Sequence, residues 1–171
     1  MLIAIIADTH MPRGARALPD SCLERIAAAD LLLHAGDFVT LAVLRELEAI
    51  GPPVLGVHGN VDSAELRRLL PAERVVEAGG ARIAMTHDAG GRPGRLERMR
   101  RRFDKRADAV VFGHSHLPLH EPARDGFQIF NPGSPTERRR APMHTMGLAR
   151  LEDGGIRFEL VELMREPEES T

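Results

Sequence analysis

The chain has 171 residues, 43% of them hydrophobic, with 23 Lys and Arg against 25 Asp and Glu and a formal net charge of −2. That length fits one domain, expected over residues 1–163, and the balanced charge gives no global attraction to nucleic acid or to an anionic membrane. A single cysteine, Cys22, excludes an internal disulfide, Tyr and Trp are absent, and no run approaches the roughly 20 apolar residues that span a bilayer, so a soluble cytoplasmic protein without stacked-base recognition is expected.

The run Leu2 to Ala7 is continuously apolar, which suits a strand buried on both faces, and it ends in Asp8-Thr9-His10. After the Pro12 to Pro19 loop, Ser21 and Glu24 read as a capping box for a helix over Cys22 to Ala29. Leu31 to His34 is the next strand and runs into Ala35-Gly36-Asp37. Thr40 caps a helix from Leu41 to Ile50, closed by Gly51-Pro52-Pro53. The strand Val54 to Val57 delivers His58-Gly59-Asn60-Val61-Asp62, and Asp62, with Glu65 as reciprocal partner, reads as the cap of a helix over Ala64 to Leu70. This alternation implies parallel strands joined by right-handed crossovers.

The second half changes rhythm. Strand-like segments fall at Arg74 to Ala78, Arg82 to Thr86, Ala109 to Phe112, Phe127 to Phe130, Met146 to Leu151 and Ile156 to Val161, with one helix near Arg95 to Phe103. Gly79-Gly80 and Asp153-Gly154-Gly155 read as hairpin turns, so this half is expected to form an antiparallel or mixed sheet packed on the first. The Glu-rich residues 164–171 read as a disordered tail.

Seven residues able to hold a metal fall where apolar runs give way to polar turns: Asp8, His10, Asp37, Asn60, His87, His114 and His116. Each motif alone has a plain structural reading as a turn aspartate, a helix cap or a strand-end histidine. Together they supply carboxylate, amide and imidazole ligands at one sheet edge, the donor set of a two-metal hydrolytic centre.

In these motifs, from Asp8-Thr9-His10 through Gly36-Asp37, Gly59-Asn60, His87 and Gly113-His114-Ser115-His116 to Asn131-Pro132-Gly133-Ser134, the chain resembles the calcineurin-like metallophosphoesterases, in particular their small single-domain bacterial and archaeal phosphodiesterase branch. The resemblance implies a four-layer α/β/β/α sandwich of two mixed sheets with helices outside. It places Asp8, His10 and His116 on one ion and Asn60, His87 and His114 on the other, with Asp37 bridging and the Asn131 turn bordering the site. Two divalent ions about 3.5 to 4 Å apart share a hydroxide that attacks a phosphodiester or phosphomonoester. Manganese is the expected activating metal, with iron, nickel or zinc also suited to the donors.

Two positions depart from the family pattern. Val61 stands where larger relatives carry a histidine that protonates the leaving group, and Ala89 stands where a second histidine is usual. His58 then reads either as a substitute proton donor or phosphate contact, or as a plain strand-end residue. His34 is read in the same two ways. Asp88 reads as a solvated turn residue or as a partner of a ligand imidazole. Among the basic runs, the eight Lys and Arg of Arg92 to Arg106 read as a solvated helix face, and Arg138 in Arg138-Arg139-Arg140 as a contact to substrate phosphate. The expected partner is a small phosphorylated substrate; nucleic acid is disfavoured, and a homo-oligomer is compatible. The rival functions are a scaffold on the same fold, as in a retromer subunit that resembles this family, and a nuclease.

Overall fold

The run that opens the chain forms β1 (Leu2–Ile6), whose alternating side chains are buried on both faces. A computed structural model describes residues 1–163 apart from Arg124, so the expectation of a disordered tail lies outside the described residues. A short 3-10 turn at Arg13–Ala15 follows. Then come α1 (Asp20–Ala27), β2 (Leu31–His34), α2 (Leu41–Glu48), β3 (Val54–Gly56) and α3 (Ala64–Leu69). The second half contributes β4 (Glu73–Ala78), β5 (Ala81–Thr86), α4 (Arg95–Arg102), β6 (Ala109–Val111), β7 (Leu119–Pro122), β8 (Gln128–Asn131), β9 (His144–Glu152) and β10 (Gly155–Leu163).

The strands make two five-stranded mixed sheets, ordered β10-β9-β1-β2-β3 and β4-β5-β6-β8-β7. In the first sheet β1, β2 and β3 are parallel, with Ile3 opposite Leu31 and Leu32 opposite Val54. The β9-β10 hairpin closes the other side antiparallel to β1. The second sheet keeps β5, β6 and β8 parallel between two antiparallel edge strands. Strand periodicity sorts the apolar residues into three cores. Ile3, Ile5, Leu33, Ile83, Met85 and Val111 fill the space between the sheets. Ala4, Ile6 and Leu32 pack outward against Ile26, Leu44 and Leu66 of α1, α2 and α3, and Ala84 and Val110 meet Met99 of α4. Three cores between four layers give the α/β/β/α sandwich.

Several local expectations change. The second half does not build the second sheet alone, because β9 and β10 return to the first sheet, a non-local pairing that turn signals do not encode. The strand β7 was not expected: Leu119-His120-Glu121-Pro122 is polar, mostly exposed and ends in proline, as suits an edge strand. At α1 the Ser21–Glu24 box does not form. The helix starts earlier, behind Pro19 and with Asp20 in its first turn, where the acid complements the helix dipole. Thr40 precedes α2 but makes no side-chain capping bond. At α3 the cap is Ser63, whose Oγ accepts the Leu66 N–H at 3.3 Å, rather than Asp62. No helix among the described residues is long and apolar enough to cross a membrane.

Candidate metal centre

The carboxyl ends of β1, β2 and β3 carry Asp8, His10, Asp37 and Asn60 to one edge of the sandwich, and the loops after β5 and β6 carry His87, His114 and His116 to the same edge. Sheet ends of this kind hold side chains against a rigid frame. The backbone there is unusual: Asp8, His10, Asp37, His114 and His116 all take left-handed φ, between 46° and 68°. Non-glycine residues adopt that region at a cost, and a cluster of them marks a place where the surroundings enforce geometry.

Glycines make room for the donors. A side chain at Gly59 would place Cβ 2.0 Å from Asp37 Oδ1, and one at Gly36 would stand 2.6 Å from His87 Nδ1. This explains why a glycine precedes both Asp37 and Asn60.

Two sets of ligand atoms converge to within 4.8 Å: Asp8, His10 and His116, and Asp8, Asp37 and His87. Asp37 Oδ2 lies 3.4 Å from His10 Nε2 and 3.3 Å from His87 Nε2, between the two groups. Asn60 Oδ1 is 3.0 Å from both His87 Nε2 and His114 Nδ1. All seven residues singled out in the sequence are therefore brought together. Asp8 belongs to both three-residue clusters, so it stands nearer the middle of the site than its assignment to one ion implies.

The far nitrogens of two histidines are fixed by main-chain carbonyls. His87 Nδ1 donates to Ala35 O at 2.8 Å, and His116 Nδ1 donates to Glu137 O. This turns each Nε2 toward the cluster, the usual arrangement of a ligating imidazole. His10 Nδ1 faces the Glu137 carboxylate at 3.7 Å, which is itself tied to Arg16 at 3.3 Å.

Asp8 Oδ2, His10 Nε2 and His116 Nε2 are buried with no hydrogen-bond partner among the described residues. Buried polar atoms are normally satisfied, so three without a hydrogen-bond partner on residues this close together fit a cation. The electrostatics agree. Burial, reinforced by the Asp37 charge, pushes the Asp8 carboxyl up to about 8. Burial also acts to raise Asp37, but the His87 hydrogen bond and charge, the Val61 N–H and His10 outweigh it and hold that carboxyl down at about 2. Burial opposes charging of His87, yet Asp37 and Asp8 raise it above the ordinary value. Burial lowers His10, and lowers His116 to about 4. Without a cation, protons on Asp8 and His87 thus offset the buried carboxylate charge.

Other residues read from the sequence find supporting places. Buried His34 stacks on Phe38 with centroids 3.5 Å apart, accepts the Gly36 N–H and bonds Thr9 Oγ1 at 3.1 Å; burial lowers it to about 3, so it braces the two ligand loops as a neutral ring. His58 lines a cleft of about 350 Å³ with Asn60 and His87. Asp88 is exposed and accepts the Gly90 N–H, the turn role rather than a ligand contact. Val61 acts through its backbone, whose N–H reaches Asp37 Oδ1 at 2.9 Å.

The Asn131 turn holds the ligand loops from behind. Asn131 Nδ2 donates to Gly113 O at 2.8 Å, and Ser134 Oγ donates to Asp8 O at 2.8 Å. Asp62 was missed as a support: its carboxylate accepts the N–H groups of Asp37, Val39 and Gly59 at 3.1, 2.7 and 2.7 Å. Arg138 turns onto Ala141 O at 3.0 Å, and it is Arg139 that lies 3.5 Å from His114 O and whose charge is felt at Asp8, His10 and His116. On the solvated α4 face, Arg100 pairs with Asp125 and Arg102 with Glu73, while Arg95 covers the Phe112 ring.

Residues 1–154 match the calcineurin-like phosphoesterase superfamily domain. The chain is 34% identical over 140 residues to a probable metallophosphoesterase of Methanothermobacter thermautotrophicus, spanning 81% of this chain and 80% of that one. It is 27% identical over 146 residues to a phosphodiesterase of Methanocaldococcus jannaschii, spanning 78% and 83%. Among solved structures, zinc-complexed Vps29 of Entamoeba histolytica superposes with a TM-score of 0.73 at 23% identity, covering 95% of this chain and 99% of that one.

Proposed function

Because the chain belongs to the calcineurin-like phosphoesterase superfamily, we propose that it is a divalent-metal-dependent hydrolase of phosphoric esters, with phosphodiesters as the favoured class. The observation that carries this reading is the trio of buried atoms without a hydrogen-bond partner, Asp8 Oδ2, His10 Nε2 and His116 Nε2, on three residues close enough together to hold an ion. A protein using this fold only as a scaffold has no need to leave three buried polar atoms without partners.

In this reading Asp8, His10 and His116 hold one ion, Asn60, His87 and His114 hold a second, and Asp37 lies between them. Manganese is the proposed activator, since the oxygen and imidazole donors include no thiolate. Two such ions would activate water and neutralise charge on the phosphoryl oxygens. The chain's own part is positional. Ala35 O and Glu137 O orient two imidazoles, Val61 N–H fixes one oxygen of Asp37, and Arg139 adds positive charge at the rim where the anionic phosphoryl group of a substrate would approach. Valine at 61 offers no proton to the departing alcohol, so aryl and other stable leaving groups should turn over best. His58, in the cleft shared with Asn60 and His87, would be the imidazole to assist poorer ones.

The test is to strip metal, reload with manganese and follow hydrolysis of an aryl phosphodiester. Metal-dependent turnover is expected. No detectable turnover with two ions verified per chain would rule out the enzymatic reading.

A further inference from the structure

A groove of about 830 Å³ has walls that include Arg92, Arg95, Arg140, Leu117, Pro118 and Pro142. Three connections tie it to the ligand loops. Leu117 directly follows His116, Arg140 directly follows the Arg139 that reaches His114 O, and Arg95 lies over Phe112 at the end of β6, 5.1 Å from the ring centroid.

The groove's charge is not neutralised from within. Glu121 is the acid on its wall, against three arginines. Some arginines elsewhere on the surface are matched, as Arg82 is with Asp108, Arg100 with Asp125 and Arg102 with Glu73, while others such as Arg68 and Arg157 are not, among the described residues. Arg92, Arg139 and Arg140 make no ion pair with any described carboxylate, and Arg95 spends its guanidinium on Gly90 O and the Phe112 face. Leu117, at 44% exposure, presents an apolar surface between these cations. Guanidinium groups around an apolar wall suit an anion carried on a flat or ring-shaped body, and the volume is that of a small-molecule subsite.

We propose that this groove binds the part of the substrate beyond the scissile bond, and that it selects esters whose alcohol portion is an apolar body carrying a second phosphate. This assignment of substrate class rests on the hydrolytic reading of the metal centre. Arg92 and Arg140 would hold the second phosphate, with Leu117 and Pro118 against the body.

Equilibrium binding to the manganese-loaded protein tests it without requiring turnover. The probes are adenosine 3′,5′-bisphosphate and adenosine 5′-monophosphate, which differ by one phosphate. The bisphosphate should bind about tenfold more tightly, the scale of one charge-assisted hydrogen bond. The R92E/R140E double variant should erase that advantage, whereas R68E/R101E, an equal charge reversal on exposed α3 and α4 positions, should keep it. Equal affinities in the wild type, an advantage that survives R92E/R140E, or one lost equally in R68E/R101E would overturn the proposal. If the aryl diester is not hydrolysed but the bisphosphate advantage is lost only in R92E/R140E, the groove stands as an anion subsite and the hydrolytic reading falls.

Discussion

Asp37 concentrates the demands of the site on one side chain. Its Oδ1 is fixed by Val61 N–H while Oδ2 sits between His10 and His87. Asp37→Asn keeps the shape and removes the charge, so catalysis should fall by more than about 100-fold, beyond what loss of an outer partner costs a metal site. Metal content should drop with it while the fold persists; full activity in the variant would remove Asp37 from the centre. Asp8 makes a separate prediction about pH. In the metal-free fold its carboxyl titrates at about 8, against 3.8 ordinarily, so folded protein holds a proton that unfolded chain has released. Stability from that proton is complete below 3.8 and lost as pH rises toward 8; the raised His87 acts in the same direction. The lowered His10, His34 and His116 add stability with rising pH, but only up to the ordinary histidine value of 6.5. Melting temperature of the metal-free protein should therefore decline between pH 6.5 and 8, and a manganese-loaded sample should not follow it. Parallel curves for the two forms would contradict this account.

At the scale of elements, the loops depend on Asp62 more than on any helix cap. Three backbone N–H groups converge on its carboxylate, two of them belonging to Asp37 and Gly59. Asp62→Ala leaves them unpaired, at about 1 to 3 kcal/mol for each buried group, so denaturant unfolding should show a loss of at least about 3 kcal/mol. Ser63→Ala, which removes the real cap of α3, should cost about 1 kcal/mol. If the two variants cost the same, Asp62 is a cap after all. This pair also shows where the sequence is ambiguous. Asp62 and Ser63 both suit the start of α3, and nothing local says that the aspartate serves a loop around Asp37, 25 residues earlier. The apolar runs were easier to read, because β1, β2 and β6 are buried on both faces and leave no doubt about where they stop. Since the candidate ligands stand at those stops, their gathering at one edge was legible for the same reason. The strand β7, polar and at an edge, carries no such pattern, and the choice among Arg138, Arg139 and Arg140 turns on loop geometry that three identical residues cannot encode.

Over the whole molecule the centre is divided between sheets: Asp8, His10, Asp37 and Asn60 come from the first, and His87, His114 and His116 from the second. The inter-sheet core therefore sets the distances within the site. Phe158 of β10 is part of that contact, stacked on Phe130 of the other sheet at 4.5 Å and near His120 at 5.6 Å. Phe158→Ala should cost about 3 to 5 kcal/mol, the usual range for deleting a buried ring. Saturating manganese should restore part of the loss, since an ion bound only by the native state stabilises it by mass action. Urea melts with and without metal check both statements; a variant as stable as wild type would mean that β10 merely borders the sandwich.

The divided ligand set also has a kinetic meaning. An ion held by Asp8 and His116 together would not be captured until the two sheets had met, so it would have little to grip in a chain still crossing the folding barrier. Metal should then leave the refolding rate nearly unchanged and express its stabilisation as slower unfolding. A loaded centre would act on the finished sandwich as a latch, governing how long the native state lasts rather than how quickly it forms.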